Sequence, residues 1–277
     1  MSITAHGHRG FDLYIALGDS MSTDEYPYRD ALARFANAHV HELRENLGPA
    51  ALLYKNADEI FSDFRHRDLS SICPGIRFAN LAKDNQNTVD LLDLIESEGI
   101  LETTCAKHLD DGEGRILLTL TIGGNDLLAA FLRSIKIKEG QYDLDGAIEE
   151  LRERFSRIVK AIDDRLDDYL LLVTDLYDPS DKTGRLPPNE ELDQDFPVLL
   201  FYQFNRYIHE NVLDLLDRAR IKLAPVHEHF LGHGVSKIGT DQYWYWNTSP
   251  IEPGMIGASE IRRVWLETLG LYLGWSN

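Results

Sequence analysis

The sequence predicts an α/β fold of three layers, α/β/α: an open parallel sheet with helices on both faces. Two observations carry this. Five short apolar runs punctuate the 277 residues, rich in Leu, Ile and Val, and several lack the polar alternation of a half-solvated strand. Between them, apolar residues recur at steps of three and four, the spacing of a helix with one buried face. Strand and helix alternating along one chain define this class.

The elements follow in order. "DLYIALG", near residue 15, is the first strand, and Arg29 to Leu47 reads as a helix. "IRFANLA", near residue 79, is the second strand, with a helix over Thr88 to Ile95. "RILLTLTIG", near 119, is the third. The cleanest helical stripe follows: Leu144, Ile148, Leu151, Phe155, Ile158, Ile162 and Leu166, with charges elsewhere. "YLLLVTDL", near 172, and "IKLAPV", near 223, are the last two strands, separated by a helix over Phe196 to Leu216. A helix over Gly257 to Tyr272 ends the pattern. No repeat or linker divides the chain, so residues 13–277 read as one domain behind a short flexible lead, residues 1–12.

The stretch "DLYDPSDKTGRLPPNEELDQDFP", residues 175–197, holds Pro, Gly and acids with no period. Such a long loop is either a binding loop or lid, or a solvated excursion. It leaves the end of a strand, where sheets of this class bind ligands.

Composition narrows the function. The chain is 43% hydrophobic and 27% charged, with a net charge of -18. That charge repels nucleic acid and anionic membranes. No apolar run approaches the ~20 residues of a membrane span, and "MSITAHGHRGFD" lacks the apolar core of a secretory signal. Cys73 and Cys105 make no metal or redox spacing; they read as free thiols of a reduced cytoplasm, although sequence alone leaves a disulfide open. The expectation is a cytoplasmic protein that handles a small molecule without cofactor or metal.

Two stretches place reactive groups directly after strands. In "YIALGDSMST", Ser20 follows the first strand at the carboxyl edge of the sheet. Backbone N–H groups at a helix start there favour negative charge, including the oxyanion formed when a serine attacks an acyl carbon. The plainer reading is that Ser20 or Ser22 caps a helix. In "LTLTIGGNDLL", Gly123 and Gly124 permit a sharp turn, and the Asn125 amide offers two donors to an oxyanion. Its plainer reading is a turn residue.

Together the two stretches resemble the SGNH, or GDSL, hydrolase family. "GDSMS" is similar to that family's first block, with Ser20 at the nucleophile position, and "GGND" to its third, with Asn125 at the oxyanion position. "FANLAKDNQNTVDLL" is similar to the second block, with Asn85 where the family carries a glycine that donates a backbone N–H. A residue there keeps that N–H, and Asn tolerates a left-handed backbone. The resemblance runs from about Leu13 to Leu269. It implies a flavodoxin-like sheet of strand order 2-1-3-4-5 and hydrolysis of a small ester or related acyl bond.

The last block departs from the pattern. The family reads Asp-x-x-His-Pro, the His acting as general base; here "SPIEPG" puts Ser249 at the Asp position and Glu252 at the His position. Imidazole suits proton transfer at neutral pH, whereas an ordinary carboxylate is a weak base unless burial or a second carboxylate raises its pKa. "LAPVHEHFLGHG" offers His227, His229 and His233 as substitutes, His233 between two glycines being the first to test. Two readings therefore stand: a serine hydrolase with Glu252 or His233 as base, and a fold that has lost its base and binds a ligand or partner. The acids Asp19, Asp24, Glu25 and Asp84 fall near the site and suit a cationic ligand or a hard metal ion, or form a solvated acidic loop. Tyr243, Trp244, Tyr245 and Trp246 either wall a pocket or pack the last helix onto the core.

Overall fold

The structure is a computed structural model that describes residues 10–35, 46–136, 143–186, 198–212 and 219–273. All five apolar runs form strands: β1 (Leu13–Gly18), β2 (Arg77–Asn80), β3 (Ile116–Thr121), β4 (Tyr169–Thr174) and β5 (Ile221–Ala224). They pair in parallel in the order β2-β1-β3-β4-β5. Every residue of β1, β3 and β4 is buried, which is why these runs lack polar alternation. The order 2-1-3-4-5 follows the expectation. The chain leaves β1 for the edge, then returns to the other side of β1 to lay down β3. The crevice outside the carboxyl ends of β1 and β3 is therefore the switch point at which such sheets bind ligands.

The helices divide by their contacts. On one side α1 (Glu25–Arg34), α2 (Pro49–Tyr54) and the C-terminal helix α10 (Met255–Leu273) pack together. On the other, α7 (Leu144–Asp163) packs on α4 (Thr88–Glu96), α6 (Gly124–Lys136) and α8 (Val198–Tyr207). The stripe read along α7 is its buried face, with Ile148, Leu151, Phe155, Ile158 and Ile162 all in the main core.

Several boundaries differ from expectation. The helix expected from Arg29 begins at Glu25, and its expected second half falls on residues 36–45, outside the described residues. The helix expected over Phe196 to Leu216 is described from Val198 and passes into a π-helical turn, Ile208–Val212; residues 196–197 and 213–218 lie outside the described residues. Helices α2, α3 (Leu69–Ile72), α5 (Ile100–His108), α6 and α9 (Val226–Phe230) were not among the expected elements, although α6 carries a periodic apolar stripe. Nor was the antiparallel hairpin of β6 (Tyr245–Trp246) and β7 (Ser249–Pro253). Three of these helices have six residues or fewer, too short to display a repeat. Cys73 and Cys105 are buried and free, and burial raises both thiol pKa values.

The described part of the 175–197 segment is tightly bonded. The Asp178 carboxylate accepts from Ser180 N and Oγ and from Lys182 N. The Asp181 carboxylate accepts from the backbone of Gly232, Gly234 and Ser236. The Asn205 side chain bonds both backbone groups of Leu176. Residues 187–197 of that segment fall outside the described residues.

Candidate active site

The site begins at Gly18. Its φ is +132°, and a Cβ there would lie 1.8 Å from the Thr121 carbonyl oxygen, so only glycine lets β1 pass β3 this closely. Asp19 N–H then bonds Thr121 O at 2.9 Å. The chain folds into a 3₁₀ turn, Ser20–Ser22, whose cap is Asp19: its Oδ1 accepts from Met21 N at 3.1 Å. The capping role considered for Ser20 or Ser22 thus belongs to Asp19, and the Ser22 hydroxyl bonds Thr121 Oγ1 instead, at 2.8 Å. Ser20 is left uncommitted, with 7% of its surface exposed.

Glu252 faces Ser20 from β7, which packs against this turn. Only 9% of its surface is exposed. Burial raises its pKa to about 7; the Ser20 hydroxyl opposes that rise as a hydrogen-bond donor, and the charges of Asp84 and Glu25 add to it. The serine contact falls short of a fully formed hydrogen bond, and Oε2 has no partner among the described residues. Asp19 is pushed further, to about 8, first by burial and also by the charges of Glu252 and Asp126, against its bond from Met21. Ser249 lies across the hairpin from Trp246 and makes no recorded contact with Glu252, so it does not replace the aspartate that would orient a histidine.

Asn125 stands in the first turn of α6 rather than in an isolated turn. Its Nδ2 donates to Gln86 O at 2.8 Å, which ties the third motif to the second and leaves one amide hydrogen free. Gly123, at φ +112°, leads into this helix, and a Cβ there would lie 2.8 Å from Phe204 Cε1. Asn85 has φ +58°, the left-handed conformation that glycine takes most easily. Its side chain bonds Asp84 Oδ2 at 2.8 Å, and Asp84 Oδ2 also accepts from Tyr26 OH at 2.9 Å. Asp126 fixes the same corner by accepting from Thr88 N and Oγ1.

Ser20, Glu252, Asn125 and Asn85 thus all emerge at the carboxyl edge of β1, β2 and β3. The histidines are bonded elsewhere. His233 stacks on Trp244 with ring centroids 3.5 Å apart, and its Nδ1 meets Gln242 O; no contact with Ser20 or Glu252 is recorded. His229 pairs with Glu260 at 2.8 Å. His227 is buried and its Nδ1 bonds Leu176 O at 2.7 Å; a carbonyl only accepts, so Nδ1 carries the proton. Among the described residues no group of three or more His, Cys, Asp or Glu is placed to hold a metal ion, so the acidic residues do not converge as metal ligands. Of the aromatic run, Tyr243, Trp244 and Tyr245 are buried in the core, and only Trp246 reaches the rim, 5.6 Å from Tyr26.

Tyr26, Gln86 and Thr121 were not legible as site residues. Each is an ordinary residue type in an ordinary setting, and only the return of distant segments to one edge gives it a role.

Among the described residues, no helix is long and apolar enough to cross a membrane. No family model matches the sequence, and no curated protein matches it significantly. Solved structures do resemble it. The lipase Lip_vut3 from a goat rumen metagenome is 18% identical, with a TM-score of 0.57 over 92% of this chain and 96% of that one. An acetyl-xylooligosaccharide esterase mutant from Geobacillus is 13% identical, with a TM-score of 0.56 over 94% and 95%. A member of the lipolytic G-D-S-L family from Veillonella parvula is 13% identical, with a TM-score of 0.52 over 92% and 96%. The chain therefore has the fold of the GDSL/SGNH lipases and esterases, an α/β architecture around a five-stranded parallel sheet.

Proposed function

We propose that this protein is a serine hydrolase of small esters or related acyl bonds, with Ser20 as nucleophile and Glu252 as its base. One observation carries the reading: an uncommitted serine at the switch point of the sheet faces a buried carboxylate whose pKa is raised to about 7. A base of that strength is half ionised at neutral pH and suits proton transfer.

The steps balance with these groups. The Glu252 carboxylate takes the Ser20 proton as Oγ attacks the acyl carbon. In this reading the free amide hydrogen of Asn125 and the backbone N–H of Asn85 donate to the carbonyl oxygen as it becomes an oxyanion. Collapse expels the alcohol, which takes the proton from Glu252. Water then attacks the acyl-serine, giving its proton to Glu252, and Ser20 is reprotonated as the acid leaves.

A second reading has one observation in its favour. Among the described residues, Glu252 Oε2 has no hydrogen-bond partner. A base without that bond is compatible with a fold that binds an acyl ligand without turning it over.

Intact-mass analysis after treatment with a fluorophosphonate separates the two. The expected result is one adduct on the wild type, none on Ser20→Ala, and slowed labelling of Glu252→Gln. Labelling of Ser20→Ala at the wild-type rate removes Ser20 as nucleophile. Absence of labelling together with no hydrolysis of p-nitrophenyl acetate favours the binding reading.

A further inference from the structure

We propose that the mouth of the Ser20 site selects substrates bearing a positive charge, an alkylammonium or quaternary ammonium group held by Trp246, Tyr26, Asp84 and Glu25. The inference rests on the reading of Ser20 and Glu252 as the reacting pair, and it names the chemical class of the molecule they act on.

The aromatic wall comes first. Tyr26, on α1, and Trp246, on the hairpin, bring their rings within 5.6 Å at a tilt of 40°. Two tilted, partly exposed rings form a corner into which a rounded cation fits, because the ring faces carry negative potential. That wall already holds a cation. The Arg29 guanidinium lies 5.8 Å from the Trp246 ring while its NH2 group pairs with Glu25 at 2.5 Å. Both side chains of that pair are about half exposed, so the pair is weak and replaceable.

The carboxylates come second. The two recorded partners of Asp84, Tyr26 OH and Asn85 Nδ2, are both neutral donors, and no ion pair to Asp84 is found among the described residues. They orient its charge without cancelling it. Glu252 is nine-tenths buried, and its Oε2 has no hydrogen-bond partner among the described residues. Burial first, and then the charges of Glu252, Asp84 and Glu25, hold the Tyr26 hydroxyl above its ordinary pKa, so all three carboxylates lie within electrostatic reach of that ring. An entrance with uncompensated negative charge and aromatic faces concentrates cations and repels anionic esters. The acidity of the whole chain, -18, reinforces the sign.

The test uses choline and its uncharged isostere 3,3-dimethyl-1-butanol, neither of which carries an acyl group. Titration calorimetry on the full chain should show choline binding roughly tenfold more tightly. Asp84→Asn and Trp246→Ala should each erode that preference by several-fold, with Trp246→Phe as the milder variant. Arg29→Ala, which vacates the ring face, should tighten choline binding. Equal affinity for the two alcohols, or a preference indifferent to Asp84 and Trp246, overturns the inference. Fluorophosphonate labelling run in parallel keeps the two claims apart. Labelling of Ser20 without a choline preference removes only the cation site. A choline preference that depends on Asp84 without any labelling removes only the hydrolase reading.

Discussion

Two buried carboxylates border the β6–β7 hairpin, and they are treated in opposite ways. Asp30, 1% exposed, has one oxygen held twice: Oδ2 accepts from Met255 N at 2.9 Å, at the start of α10, and from Arg34 Nε at 2.8 Å. Among the described residues Glu252, three residues before Met255, receives the imperfect approach of Ser20 and has no partner for Oε2. The first arrangement holds a helix in place. The second leaves a group whose proton is free to move. Burial alone does not mark a working carboxylate; burial without hydrogen-bond compensation does.

The sharpest way to break this comparison is to exchange the charge of Glu252 for an amide. Glu252→Gln should slow Ser20 labelling by about a hundredfold or more, the scale of a general base, while the fold persists. In the wild type, labelling should rise as pH passes through about 7 if, as proposed, the carboxylate form of Glu252 takes the Ser20 proton. A pH-independent rate, or a variant as fast as wild type, would assign the proton to another group.

The complementary change should act on stability. Asp30→Ala strands the Met255 N–H and uncouples Arg34, and should cost about 2–4 kcal/mol in urea unfolding. A loss below that range would show that α10 is held by packing alone.

A third change tests the cost of uncompensated burial. Asp19 and Glu252 hold their protons more tightly when folded, at about 8 and about 7 against reference values of 3.8 and 4.5. The folded state therefore binds more protons than the unfolded chain across this range. Stability is greatest below about pH 4 for these groups and falls as pH rises toward 8. Asp19→Asn removes the larger contribution while keeping a capping oxygen for Met21. Its unfolding free energy relative to wild type should climb between pH 5 and pH 8, by an amount on the order of a few kcal/mol. A constant difference across pH would mean that Asp19 stays ionised.

The smallest effect belongs to Asn85. Asn85→Gly suits φ +58° and keeps the backbone N–H, so it should change stability by less than about 1 kcal/mol and leave labelling near wild type. Asn85→Ala should be the more damaging of the pair, and the reverse ranking would place the importance of Asn85 in its side-chain bond to Asp84.

The sequence by itself determined the sheet. The β1, β3 and β4 runs are apolar throughout because both faces of those strands are covered, and the short paths around Gly18 and Gly123 demanded residues without a Cβ. It also placed Ser20 and Asn125 at one edge of that sheet, since groups set directly after parallel buried strands have only one edge to occupy. Tertiary structure decided the rest. Asp19 rather than a serine caps the turn because its carboxylate alone reaches Met21 N. His233 is drawn onto Trp244 by a stacking contact that no local pattern announces. The raised pKa of Glu252 depends on how deeply a short hairpin carries it in, and on Asp84 and Glu25 arriving from other segments. Residue type and period are local and survive in a linear string. Proton affinity is set by the dielectric and the charges around a group, and those exist only once distant segments have met.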